Sequence, residues 1–266
     1  IDAINGGENT QDENGHGTFM AGIIAAEANN SLGIAGAAWK SRIMPVKALD
    51  ANGEGAYSDL IEAIVYAADN GAKVINMSLG GYSYSQFLAD AVQYAHNAGA
   101  VLIAAGGNEN SSLKLYPAAY PNVIGVSSTD SSDILWPSNN YGSYIRLSAP
   151  GVGVLSTTKG GSYSEATGTS ASAAYASAVA SLILSKNPDL SNTQVESMLF
   201  ESVDDLGAAG RDEYFGYGRV NALKAMENAS IEVHDVAVTG IRVEPETFKA
   251  GEATKIVVTV KNEGTF

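Results

Sequence analysis

Apolar residues in the first two thirds of this chain follow two alternating periods. Short β-branched runs at Arg42–Leu49, Val74–Leu79, Val101–Ala105 and Val123–Ser127 predict strands. Between them, Ser58–Asn70 places Leu60, Ile61, Ile64 and Val65 at helical spacing behind a serine cap, and Gly71 stops the pattern. Ser85–Asn97 repeats it and stops near Gly99. Strand, helix, strand, with nearly continuous apolar strands, is the signature of a sheet buried on both faces. The predicted fold is α/β: a doubly wound, mostly parallel sheet with helices on both faces and ligands near the carboxyl ends of the strands.

From Ser170 to Lys186 the chain is almost all Ala, Ser, Val, Leu and Ile, and Pro188 marks its end, which predicts a central helix packed through small residues. A further helix starts near Ser191 with Val195, Met198 and Leu199 on one side, and Ala222–Asn228 forms another. Past Ala229 the period falls to two, with Val233, Val236, Val238, Ile241 and Val243, a turn around Pro245, then Ile256, Val257, Val258 and Val260. Residues 1–229 are therefore expected to form one domain. Residues 230–266 read as the start of a β-sandwich, which needs about 100 residues to complete.

Composition narrows the partners. With 15 Lys and Arg against 29 Asp and Glu, the net charge is −14, which argues against nucleic acid or an anionic membrane as a partner. The absence of cysteine excludes disulfides, thiol catalysis and cysteine-ligated metals. No run of eighteen apolar residues reads as a membrane span. The chain opens at Ile1 without a charged-then-apolar leader, so a signal peptide or propeptide is expected to have been removed or not recorded.

Three short segments carry candidate chemistry: Gly15-His16-Gly17-Thr18, Gly106-Gly107-Asn108 and Gly168-Thr169-Ser170-Ala171. Singly they read as a histidine in a glycine turn, an asparagine turn and a serine helix cap. Together they supply a base, an oxyanion donor and a nucleophile, because a serine hydroxyl needs an imidazole to take its proton and the developing oxyanion needs fixed donors. In order and flanking residues the three segments closely resemble the subtilisin-like serine proteases. Departures are Phe19, where that family has a second histidine, and Ala171, Ser172 and Ala174, where it usually has Met, Ala and Pro.

The resemblance implies a secreted endopeptidase of broad specificity working through an acyl-enzyme, with His16 as general base, Ser170 as nucleophile and Asn108 as oxyanion donor. It implies a peptide or protein substrate and an N-terminal propeptide in the precursor. It also implies a triad aspartate before His16. The family leaves roughly thirty residues between the two, and fifteen precede His16 here, so the acid is expected to lie outside this chain and the fragment to be poorly active. By the same resemblance Gly53, Gly55, Ser78, Leu79 and Gly80 flank an extended peptide, and Asp12 lies near the second subsite. No cofactor is expected for the chemistry. A structural calcium is expected in the loop where Asn30 offers its side chain and Ala28, Leu32 and Ile34 their carbonyls. Residues 260–265, Val-Lys-Asn-Glu-Gly-Thr, resemble the start of a bacterial or archaeal immunoglobulin-like adhesion module of the CARDB type.

Two rival readings stand beside this one. A non-catalytic peptide-binding relative of the same fold would accommodate the missing acid and the altered Ser170 helix. An esterase or lipase of the α/β-hydrolase type would need its serine in a Gly-x-Ser-x-Gly elbow ahead of its histidine. Here His16 precedes Ser170, and Ser172 stands where the elbow needs glycine.

Overall fold

A computed structural model describes residues 1–229 and, as backbone, residues 236–244 and 255–262. The chain divides into a unit of residues Ile1–Asn228 and a second beginning at Ala229. In the first unit, strands β1 (Val74–Met77), β2 (Val101–Ala105), β3 (Val123–Thr129) and β4 (Ile145–Pro150) form a parallel sheet in that order. Helices α2 (Tyr57–Asp69) and α3 (Gln86–Asn97) cover one face through Leu60, Ile64, Leu88 and Val92, which cluster with Leu102 and Ala104. The period-two alternation turns Val101 and Ile103 the other way, where α4 (Thr169–Lys186) runs against all four strands. The α/β expectation is met.

Helix α1 (His16–Ala25) packs Phe19, Met20, Ile23 and Ile24 onto Ala171, Ala174 and Ala178 of α4. Small residues on α4 let the two helices approach closely. Over α1 lies an antiparallel hairpin, β5 (Val154–Thr158) and β6 (Ser162–Ala166). Neither of these strands nor β4 was foreseen, and β6 is exposed throughout, so it carries no hydrophobic signal. Helices α5 (Asn192–Glu201) and α6 (Ala222–Asn228) complete this unit, α5 behind a capping box of Ser191 and Gln194. In the second unit β7 (Val236–Glu244) pairs antiparallel with β8 (Lys255–Asn262). Val233, the turn expected at Pro245 and the end of the adhesion-type run past Asn262 lie outside the described residues.

Some expectations are corrected. Arg42–Leu49 is not a strand: its one ladder contact is an isolated parallel bridge between Lys47 and Asp2, because no neighbouring strand pairs with it among the described residues. Between it and the edge of β1 that has no partner strand among the described residues runs a groove of about 2200 Å³. Strand β1 stops at Met77 rather than Leu79. Ser58 does not cap α2; the helix begins at Tyr57, Ala56 holds the cap position with its N–H on Asp59 Oδ2 at 3.4 Å, and the Ser58 hydroxyl donates to Asp59 Oδ1.

Charge fastens α6 to the turn that follows α5. Arg219 bridges Asp133 and Asp204, and Lys224 Nζ lies 2.7 Å from Asp204 Oδ1. The Lys224 hydrogen bond is the largest influence on Asp204; with Asn221 and Arg219 it outweighs desolvation and holds the carboxyl at about 2. A carboxyl lowered in the fold adds stability above its unfolded value, and that stability is lost as pH falls through about 2. Lys224→Met is accordingly expected to lower Tm by roughly 2–4 °C at neutral pH. The deficit should shrink in melts taken from pH 4 towards pH 2; one that does not change with pH would contradict the linkage.

Candidate active site

His16 opens α1 from Gly15, whose φ of +103° is in the left-handed region that favours glycine. Asp12 fixes this entry. Its Oδ1 accepts from Gly15 N at 2.6 Å, and its Oδ2 accepts from Thr18 N and Thr18 Oγ1 at 2.7 and 2.6 Å. Desolvation pushes the Asp12 pKa up, but the bonds from Thr18 and Gly15 outweigh it and hold the carboxyl below its usual value. Asp12 thus does the work of a helix cap. His16 keeps an exposed face; the protein packed around its other side lowers the pKa, and the Asp12 charge opposes this only in part. The neutral imidazole, the form a base needs, is favoured. No side chain among the described residues hydrogen-bonds that imidazole.

Asn108 follows β2 at the carboxyl edge of the sheet, and its orientation is set by Thr169. The Asn108 Oδ1 accepts from Thr169 N at 2.9 Å and from Thr169 Oγ1 at 2.8 Å. Two donors on one atom identify it as the oxygen, so the amide NH₂ turns away from Thr169. The same Thr169 hydroxyl accepts from Gly107 N at 3.0 Å, joining the β2 loop to the first turn of α4. Gly107 has φ +113°, and a Cβ there would stand 2.1 Å from Asn140 Nδ2. Asn140, fully buried, accepts from Glu109 N and Ser111 N and donates to the Tyr82 hydroxyl at 3.1 Å. Sequence reasoning missed Thr169, Tyr82 and Asn140. Thr169 had a signal in its place beside Ser170, whereas Tyr82 and Asn140 had none.

Ser170 is the second residue of α4, inside the helix and not its cap. Its Oγ donates to the Ser78 carbonyl at 3.3 Å, not to His16. The Ser78 hydroxyl in turn donates to the Ser170 carbonyl at 2.8 Å. Ser78, Leu79 and Gly80 follow β1, and Gly81 exchanges backbone bonds with Tyr116 at 2.8 Å each way. Gly53 and Gly55 belong to a tight loop in which Asp50 accepts from Asn52 N and Glu54 N, and Asn14 Nδ2 ties that loop to the His16 turn through the Ala51 carbonyl. Asp12, His16, Gly53, Gly55 and Ser78–Gly80 all line the groove beside β1. Neither Ser170 nor Asn108 lines it: Ser170 connects to it through Ser78, and Asn108 is joined to Ser170 through Thr169.

The loop expected to hold calcium forms a shallow cup lined by residues 27–35. Asn30 Oδ1 already accepts from Leu32 N at 3.0 Å. With the carbonyls of Ala28, Leu32 and Ile34 it would offer four oxygens, fewer than the six to eight that calcium takes. Among the described residues no cluster of three or more acidic, His or Cys side chains is placed to hold a metal. The remaining positions around an ion would fall to water or to oxygens from outside the loop.

Residues 1–218 match the family model described as Subtilase family. A thermophilic serine proteinase from Bacillus sp. (strain AK1) is 42% identical over 225 residues, covering 85% of this chain and 55% of that protein. Thermitase from Thermoactinomyces vulgaris is 41% identical over 226 residues, covering 85% and 80%. The minor extracellular protease Epr of Bacillus subtilis (strain 168) is 40% identical over 211 residues, covering 79% and 33%. The chain thus spans about half the length of the first of these relatives and a third of the last. With the parallel sheet, the small-residue helix behind Ser170 and a match over most of its length, the chain belongs to the subtilase family.

Proposed function

We propose that the chain is a serine endopeptidase of broad specificity in which His16, Ser170 and Asn108 act together. The observation that carries the reading is Asn108, whose amide is pinned by Thr169, the residue directly before Ser170, with its donors turned away from that contact. His16 takes the Ser170 proton as the Oγ attacks the peptide carbonyl. The oxyanion is met by the Asn108 NH₂ and by the Ser170 N–H, which lies in the first helical turn where donors have no earlier partner. His16 then protonates the leaving amine, and water admitted by the same base releases the acyl group. The triad carboxylate would enter on a strand laid in the groove between residues 42–48 and β1, an edge that has no partner strand among the described residues.

A peptidyl phosphonate tests this directly. It is expected to label the chain at Ser170, and Ser170→Ala to abolish labelling. The rate should fall on acidification through a pKa below the usual histidine value, since only neutral His16 accepts a proton. Asp12→Asn should move that limb to lower pH, because removing the negative charge destabilises the imidazolium. A limb that moves up would contradict the assignment. The second reading, a peptide-binding relative without catalysis, is favoured by the Ser170 Oγ bond to Ser78 in place of His16; absence of labelling would support it.

The residue before the scissile bond is read as lying between Ser78–Gly80 and Gly106–Asn108, with Glu109 beside it. Its Oε2 accepts from Tyr82 Oη and from Asn108 N, each at 2.8 Å. A fixed negative charge there is expected to admit large apolar residues and to favour Lys or Arg over Asp or Glu. A peptide library varied at that position decides it, and an acidic preference would overturn it. An extracellular setting and a propeptide in the precursor rest on the family likeness, which includes a relative named as extracellular. No helix among the described residues is long and apolar enough to cross a membrane. Calcium at residues 28–34 would need oxygens from elsewhere. Strands β7 and β8 are read as the beginning of an adhesion-type sandwich, and residues 1–229 as the catalytic domain.

A further inference from the structure

We infer that Ser177 is a positioning residue for the nucleophile, acting through Asn76 and Ser78 on the carbonyl of Ser170. The four residues come from two segments, α4 and the carboxyl end of β1, and form one continuous chain of hydrogen bonds. Ser177 Oγ, on α4 and 1% exposed, lies 3.0 Å from Asn76 Oδ1 on β1. Asn76 Nδ2 donates to Ser78 Oγ at 3.0 Å, and Ser78 Oγ donates to the Ser170 carbonyl at 2.8 Å. Gly168, which caps α4, offers no side-chain cap. The first turn of that helix is therefore held by side chains from elsewhere: Asn108 on one side through Thr169, and Ser78 on the other.

Proton accounting shows what Ser177 adds. Its hydroxyl has one hydrogen and two acceptors in reach, Asn76 Oδ1 at 3.0 Å and the Ala173 carbonyl at 2.8 Å. When the hydrogen goes to Asn76, the amide presents its NH₂ to Ser78, and Ser78 gives its own hydrogen to Ser170. When it goes to Ala173, the favourable amide orientation is the reverse: Nδ2 donates to Ser177 and Oδ1 faces Ser78. That oxygen then competes with the Ser170 carbonyl for the Ser78 hydrogen. The direction of the Ser177 hydroxyl thus decides whether the carbonyl of the nucleophile keeps its side-chain donor. Removing the hydroxyl leaves Asn76 Oδ1 without a donor on that side and frees the amide to turn.

A double-mutant cycle on the 266-residue chain with Ser177→Ala, Ser78→Ala and the pair tests this, read by phosphonate labelling rate and by amide hydrogen exchange over Ala173–Ser177. Each single change is expected to slow labelling and speed exchange by roughly three- to tenfold. The pair should do little more than either alone, since both break one chain. Effects that multiply in both readouts, or a Ser177→Ala protein that behaves as the parent, would overturn the inference. Its kinetic arm rests on Ser170 being the nucleophile. If the parent is not labelled at all, that catalytic reading fails, and the exchange cycle alone still decides the role of Ser177.

Discussion

A strand carrying an aspartate at its carboxyl end, supplied to the groove beside β1, is expected to raise turnover of a chromogenic peptide by about 3 × 10⁴, the scale on which loss of the acid weakens a subtilisin. The reason lies at His16. Among the described residues nothing bonds its imidazole, and Asp12 is committed to Gly15 and Thr18. Without an orienting carboxylate the imidazole samples the wrong tautomer, and its charged form goes unsupported while the tetrahedral intermediate forms. The groove specifies the strand that would fit. Its wall bears apolar Leu60, Ala63, Ile64 and Ala67 from α2 and the hydroxyls of Ser177 and Ser181 from α4. Residues of the incoming strand should therefore alternate between apolar and small. The chain with and without this strand, and with asparagine in place of its aspartate, should be compared by kcat. Equal turnover of all three would mean that an acid within residues 1–266 already completes the site.

Asn108→Leu should lower kcat by about a hundred- to a thousandfold with little change in KM, the range known for the oxyanion asparagine of subtilisin. Such a split identifies a donor used by the transition state more than by the bound substrate. Asn108→Asp is a stricter test. Its carboxylate can still accept from Thr169 N and Thr169 Oγ1, which preserves the local bonds, but the NH₂ is replaced by a negatively charged oxygen. The Asp variant should be at least as impaired as the Leu variant while melting closer to the parent. Loss of less than tenfold in both would remove Asn108 from the reaction.

The sheet and its covering helices could be read in advance because period and stop signals agree there. Ser85 bonds Leu88 N at 3.3 Å as its cap, and Val101–Ala105 is wholly buried, as a continuous apolar run requires. The run Arg42–Leu49 misled for a related reason. Its β-branched content states a preference that only a paired neighbour can satisfy, and pairing is not written in the run itself. The hairpin of β5 and β6 escaped because most of its residues are polar and β6 is exposed throughout, so neither strand carries a clear apolar period. At the site, His16, Asn108 and Ser170 stand in short glycine-marked segments, so they could be picked out from local sequence. Their supports could not. Thr169, Asn140, Asn76 and Ser177 act across separations of roughly thirty to a hundred residues, as in the Asn76 to Ser177 contact, and an isolated Ser or Asn announces nothing about so distant a partner.

The hairpin is clamped to α1 where the helix has no side chain. Ser156 Oγ donates to the Phe19 carbonyl at 2.7 Å and Thr157 Oγ1 to the Thr18 carbonyl at 2.9 Å. A Cβ on Gly22 would stand 2.2 Å from Thr157 Oγ1 and 2.5 Å from Ser156 Oγ. The hairpin tip also reaches Glu13, through a bond from Lys159 Nζ to its carbonyl, three residues before His16. Anyone seeking to harden this enzyme by replacing helix glycines with alanine should therefore leave Gly22 alone. The usual entropic gain would be spent wedging the hairpin off the helix, and the displacement would be delivered to the base at the other end.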